Sequence, residues 1–119
     1  MTQEHKQLLL KDLCGRLPYN VMVQKYLFFA DEYEDAELTP NVLHCYNIGD
    51  LKPYLRPMSS MTEEEKDELL NLRKEMNMHM HPWIDRILDF YLSHHLDWRG
   101  LILLGLALEA PEGMYKAKQ

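Results

Sequence analysis

The sequence predicts an α+β fold in which a small antiparallel sheet packs with an N-terminal helix and two helices from the C-terminal half. Three observations predict it. Apolar residues recur at helical spacing near the N-terminus and again through residues 82–96. Between them, residues 21–29 are rich in β-branched and aromatic side chains, as strands are. Thr62-Glu63-Glu64-Glu65 carries the spacing of a capping box, a helix start. A chain of 119 residues buries roughly two-thirds of the surface its unfolded form exposes. One domain, 1–119, is therefore expected to fold without disulfides or a structural metal.

The elements follow in order. Thr2 can cap a first helix over residues 3–14, with Leu9, Leu10, Leu13 and Leu17 at helical spacing and Gly15 as a left-handed terminator. Leu17-Pro18-Tyr19-Asn20 reads as a turn into the first strand, 21–29. The acidic residues 31–37 read as a loop, followed by a Pro40-Asn41 turn. Residues 42–48, Val-Leu-His-Cys-Tyr-Asn-Ile, read as a second strand stopped by Gly49-Asp50. In 51–57 two prolines, Pro53 and Pro57, favour a turn over a ladder strand, because each lacks a donor N–H. Thr62 opens a second helix to about Asn77, on which Glu65, Asp67 and Glu68 are expected to face solvent. Pro82 opens a third, whose stripe of Trp83, Ile84, Ile87, Leu88, Tyr91, Leu92 and Leu96 is expected to anchor the core. Residues 97–100 read as a turn, the apolar 101–108 as either a short strand or a helical turn, and 109–113 as a loop.

The formal net charge of -6 is concentrated: residues 31–50 alone carry -6, with Asp31, Glu32, Glu34, Asp35, Glu37 and Asp50 and no base. Non-specific duplex binding draws on clustered Lys and Arg, so the balance disfavours it. A nucleic-acid role would need a local basic face built from Lys52, Arg56 and the N-terminal bases. The longest apolar run, 101–108, is far short of the ~20 residues of a membrane-spanning helix. The polar start Met-Thr-Gln-Glu-His-Lys has no signal-peptide character. No membrane association and a cytoplasmic location are expected. Cys14 and Cys45, isolated and without C-x-x-C spacing, are expected to be buried thiols.

Motifs that carry chemistry are sparse. His79, His81, His94 and His95 flank the third helix, but about 13 residues of helix, or roughly 20 Å, separate the pairs. They therefore read as surface or satisfied core histidines rather than metal ligands. Asp85 and Asp89 with Arg86 form a solvated helix face. Ser59, Ser60 and Ser93 lack a nucleophile-elbow context, and a Cys14 or Cys45 dyad with His44 has no geometry behind it. The glycines form no phosphate loop. No catalytic residue, cofactor or metal is expected. The residues left for function are Tyr54, Leu55 and Arg56, since Tyr and Arg are favoured interface anchors. Beside them stands the acidic Asp31, Glu32, Glu34 and Asp35, which suit a basic partner. The competing reading of Tyr54 and Leu55 is that they cap the core.

Three strings point to a family: Leu10-Lys11-Asp12-Leu13-Cys14-Gly15-Arg16-Leu17-Pro18-Tyr19, Lys52-Pro53-Tyr54-Leu55-Arg56-Pro57-Met58-Ser59-Ser60-Met61-Thr62-Glu63-Glu64-Glu65, and Gly105-Leu106-Ala107-Leu108-Glu109-Ala110-Pro111-Glu112-Gly113-Met114-Tyr115. With them the chain resembles short uncharacterised proteins of Bacteroides-type gut bacteria, their phages and prophages. The resemblance implies no activity, cofactor or site residue. Many relatives carry Pro where this chain has Leu103, which leaves the conformation of 101–104 open. The function expected is a non-enzymatic protein-interaction module of phage or mobile-element origin, acting on a protein partner. The alternatives are a small nucleic-acid-binding protein of phage type and an enzyme with an unrecognised site. A homodimer is compatible with the aromatic and Met content.

Overall fold

A computed structural model describes residues 1–78 and 80–115, the side chains of 76–84 excepted. The fold is α+β, with four α-helices among the described residues and a four-stranded mixed sheet in the order β2 (Glu32–Glu37), β1 (Met22–Leu27), β3 (Leu51–Leu55), β4 (Leu108–Glu109). Helix α1 spans Gln3–Arg16, and the Thr2 side chain accepts from the His5 amide at 3.1 Å. Leu9 and Leu13 are buried, whereas Leu10 lies off the stripe and is exposed. Gly15 does not end this helix. It lies within it, where a Cβ would stand 3.7 Å from Leu92 Cδ2 of helix α4 (Met80–Ser93), and the left-handed residue that turns the chain is Asn20, at φ 58°. That distance is ordinary van der Waals contact, and a helical glycine costs about 1 kcal/mol relative to alanine. Gly15→Ala is accordingly expected to stabilise the protein by roughly 0.5–1 kcal/mol, read as a higher urea midpoint; a lower midpoint would show that α1 and α4 need the closer approach.

Strand β1, Met22–Leu27, turns through Phe28–Asp31 into β2, Glu32–Glu37, with Asp31 at φ 51°. The acidic segment expected as a loop is thus an edge strand. Apart from Tyr33 its residues are poor strand formers, and cross-strand partners hold them. Ala36 lies opposite Val23 on the core face, Glu34 pairs with Lys25 at 3.6 Å, and the Tyr33 ring stands 5.3 Å from that of Tyr26. Carboxylates on an edge also deter edge-to-edge association.

Residues 42–48 are not a strand either. Thr39 accepts from the Val42 amide at 3.2 Å and Pro40 occupies the first turn of a six-residue helix, α2, Pro40–Cys45. The cap and first-turn proline outweigh β-branched composition here. A 3-10 turn, Ile48–Asp50, leads into β3, Leu51–Leu55, which is an inner strand despite Pro53. The register explains the tolerance. The Met22 amide and the Tyr54 carbonyl both point into the β1–β3 seam, so alternation turns the Pro53 nitrogen the other way, and there β4 pairs only with Tyr54 and Leu55.

At that seam the Tyr115 hydroxyl stands in for a direct ladder bond. It accepts from the Met22 amide at 2.9 Å and donates to the Tyr54 carbonyl at 2.8 Å, with its ring stacked on His95. Burial pushes the Tyr115 hydroxyl up to about 12. Tyr115→Phe leaves an amide and a carbonyl without their bridge at a part-buried site. It is expected to cost about 1–3 kcal/mol and to speed amide exchange at Met22; unchanged exchange there would exclude the bridging role.

The capping box forms as its spacing predicts. The Thr62 amide donates to Glu65 Oε1 at 2.8 Å and the Glu65 amide to Thr62 Oγ1 at 3.1 Å, opening α3, Glu63–Met78. Helix α4, Met80–Ser93, packs on α3 through Leu69, Phe90 and Tyr91. The main core lies elsewhere, between α1, β1, β3 and the turns of 101–107. The expected anchoring stripe of the third helix therefore serves a second cluster: Tyr91 is buried, Leu88 is exposed, and Trp83 and Ile84 lie outside the described side chains. Leu96 lies beyond the helix and bridges Arg56 in parallel. Residues 101–107 are neither strand nor helix but consecutive turns, started by Asp97, whose carboxylate accepts from the Leu101 and Ile102 amides at 2.9 and 3.0 Å. Strand β4, Leu108–Glu109, then joins β3 in parallel, so the sheet is mixed and not wholly antiparallel.

Candidate functional site

Strand alternation sorts the residues expected to act. On β3, Leu51, Pro53 and Leu55 turn to the core face, while Lys52 and Tyr54 turn to the other face beside Gln24 and Asp35. Tyr54 is 9% exposed and Leu55 0%. Burial withdraws both from a partner's reach, and the turn once expected to present them is an inner strand. The Tyr54 hydroxyl donates to Asp35 Oδ1 at 2.6 Å; burial, then this bond, raises its pKa.

Arg56 is committed within the fold. Its guanidinium grips Glu65 in a fork, with Nη1 to Oε2 at 2.8 Å and Nη2 to Oε1 at 2.7 Å, and also donates to Ser60 and to the His94 carbonyl. Glu65, expected to face solvent, is instead the hub of this cluster, with His94 Nδ1 at 2.9 Å. The Arg56 fork holds the Glu65 carboxyl at about 2, against burial that pushes the other way. The same bond raises Arg56.

The acidic candidates are exposed. Asp31 closes the hairpin turn and accepts from the Tyr26 hydroxyl at 2.6 Å, a bond that raises the Tyr26 pKa, while Glu32, Glu34 and Asp35 lie along the outer strand. At the tip stand two residues not expected there: Phe28 is 81% exposed and Phe29 76%, their rings 6.0 Å apart, and on β2 Tyr33 is 67% exposed. Phe28 and Phe29 thus pair edge to face in water at one end of the sheet, unlike singly scattered surface residues. The Phe28-Phe29 pair was visible in sequence, but a strand over 21–29 absorbed it.

Nothing in the described residues assembles a nucleophile. Ser60 Oγ donates to the Pro57 carbonyl and Ser93 Oγ to that of Phe90. Cys14 and Cys45 are exposed, contrary to expectation: Cys14 lies off the Leu9–Leu13 stripe of α1, and Cys45 ends the short helix α2. Among the described residues no three His, Cys, Asp or Glu side chains converge as a metal site would require. His94 is bound to Glu65, His95 lies on Tyr115, and the expectations for His79 and His81 fall outside the described side chains. Asp85, Arg86 and Asp89 are exposed, with Asp89 accepting from the Tyr19 hydroxyl at 2.8 Å. No described helix is long and apolar enough to cross a membrane.

A buried ionic cluster includes none of the residues expected to act. Asp12 and Arg16, both 0% exposed, pair at 2.7 Å; Arg16 also donates to the Leu96 carbonyl at 2.8 Å, and Arg99 reaches Asp12 at 3.1 Å. Both guanidiniums lie over the Trp98 ring. The i, i+4 spacing of Asp12 and Arg16 was the available signal. No family model matches the chain, and neither curated proteins nor solved structures yield a match.

Proposed function

We propose that the chain is a non-enzymatic protein-interaction module, in keeping with a phage or mobile-element origin, and that its docking surface is the β1–β2 hairpin. The observation that carries this reading is the exposure of Phe28 and Phe29 at the hairpin tip. Phenyl rings contribute most to binding when desolvated. Beside them β2 is the terminal strand of the sheet, so its outer backbone groups are open to strand addition. Its carboxylates select the occupant: an extended, basic segment of a protein partner, whose Lys and Arg would lie beside Glu32, Glu34 and Glu37. Nucleic acid is repelled by the same edge, and the basic face it would need loses Arg16 to burial and Arg56 to Glu65.

The test is a photoreactive phenylalanine analogue at position 29 in the native host, with the same residue at position 103 as an exposed control. A covalent protein adduct at 29 and not at 103 is expected, and the cross-linked peptide should be rich in Lys and Arg. Equal adducts at both positions, no adduct at 29, or an acidic peptide would each overturn the reading.

A further inference from the structure

The outer face of the sheet holds a concavity beside the hairpin. Across neighbouring strands Tyr33 lies opposite Tyr26, and the β1–β3 register continued one step past its last pair, Lys25 with Leu51, brings Asp50 level with Tyr26 from the other side. Two phenol rings and a carboxylate thus line one row. Asp31 closes the end of the row from the hairpin turn, held in place by the Tyr26 hydroxyl at 2.6 Å. Gln24 and Lys52 form the next row. Together these side chains enclose an open cavity of about 320 Å³, at the small end for ligand pockets. That is room enough for an arginine side chain.

We infer that this cavity receives the guanidinium of an arginine side chain from a basic peptide. The assignment rests on the reading of the hairpin as a docking surface, which it deepens by naming the group recognised. Aromatic faces attract cations through the ring quadrupole, and a planar guanidinium can lie flat on a ring while its N–H fork meets a carboxylate. Tyr26 and Tyr33 supply the faces; Asp31 and Asp50 supply acceptors on two sides. The lining carries two carboxylates against the single ammonium of Lys52, which sits one row away, and the acidic strand β2 adds to the negative field. An anionic ligand would meet that field with one lysine to hold it. A lysine side chain is a poorer fit than arginine, because an ammonium neither stacks nor forks.

The experiment uses the full-length, isotope-labelled chain titrated with three peptides, acetyl-Gly-Arg-Gly-amide and its citrulline and lysine counterparts, followed by amide chemical shifts. Citrulline keeps the shape of arginine and removes the charge. With the arginine peptide, saturable shifts confined to the cavity lining, Tyr26, Asp31, Tyr33 and Asp50 among them, are expected, with a dissociation constant of about 1 mM. The citrulline peptide should give none, and the lysine peptide should bind more weakly. Asp50→Asn and Tyr33→Ala should each weaken the arginine peptide about three- to fivefold, while Leu103→Ser, at an exposed position outside the cavity lining, leaves it unchanged. Absence of saturable shifts, equal binding of citrulline or lysine, or indifference to both cavity variants would overturn the assignment. Cross-linking at position 29 reports on the hairpin independently, so the two readings can fail separately.

Discussion

Asp12→Ala is expected to lower stability by about 3–5 kcal/mol. Asp12 is fully buried and accepts from Arg16 at 2.7 and 3.2 Å and from Arg99 at 3.1 Å. Without it Arg16 keeps its bond to the Leu96 carbonyl but is left as a buried cation whose counter-charge is gone. The loss is therefore dominated by the stranded guanidinium and not by the pair's net worth. A buried ion pair costs so much to desolvate that an apolar pair of similar volume is often as stable. The double variant Asp12→Leu with Arg16→Met is accordingly expected to recover most of the loss. Urea unfolding of wild type, single and double variants measures this directly; a single variant within about 1 kcal/mol of wild type would show that water or relaxation reaches Arg16.

Glu65→Gln is expected to cost about 2 kcal/mol at neutral pH, because a charge-assisted hydrogen bond exceeds a neutral one by about 1 kcal/mol and the fork to Arg56 has two. Glutamine can keep the capping-box geometry with Thr62, so the loss isolates the fork to Arg56 and the contact with His94. The pH dependence follows from the direction of the shift. The folded carboxyl sits at about 2, below the ordinary 4.5, so the unfolded state takes up its proton first on acidification. Wild type's advantage is thus fully present above 4.5 and disappears as pH falls toward 2. Unfolding midpoints of wild type and variant should converge over that window. A gap that stays constant from pH 7 to pH 2.5 would mean that shape, and not charge, holds the cluster.

The candidate residues were legible in sequence unevenly. The acidic Asp31, Glu32, Glu34 and Asp35 stood out by charge, and the structure leaves them exposed on the hairpin. Phe28 and Phe29 were equally visible but looked like strand interior, because composition cannot say where a strand turns. Tyr54, Leu55 and Arg56 looked like surface anchors only while Pro53 and Pro57 implied a turn. Once Pro53 is seen to point its nitrogen away from β1, the segment becomes an inner strand, and Arg56 becomes the partner of Glu65.

What the sequence determined by itself was local. The Thr62–Glu65 box, the Thr2 cap and the α+β class follow from residues within one turn of each other or from the period of an apolar stripe. Tertiary structure alone decided that an acidic run would be a strand, since its pairing depends on Val23, Lys25 and Tyr26 across the hairpin. It alone decided which charges would be buried: Arg16 meets the Leu96 carbonyl 80 positions away, and Asp12 meets Arg99 87 positions away. The physical reason is common to both. Strand pairing and charge burial take their free energy from neighbours that only the folded chain supplies, whereas caps and helical stripes carry theirs within a few residues.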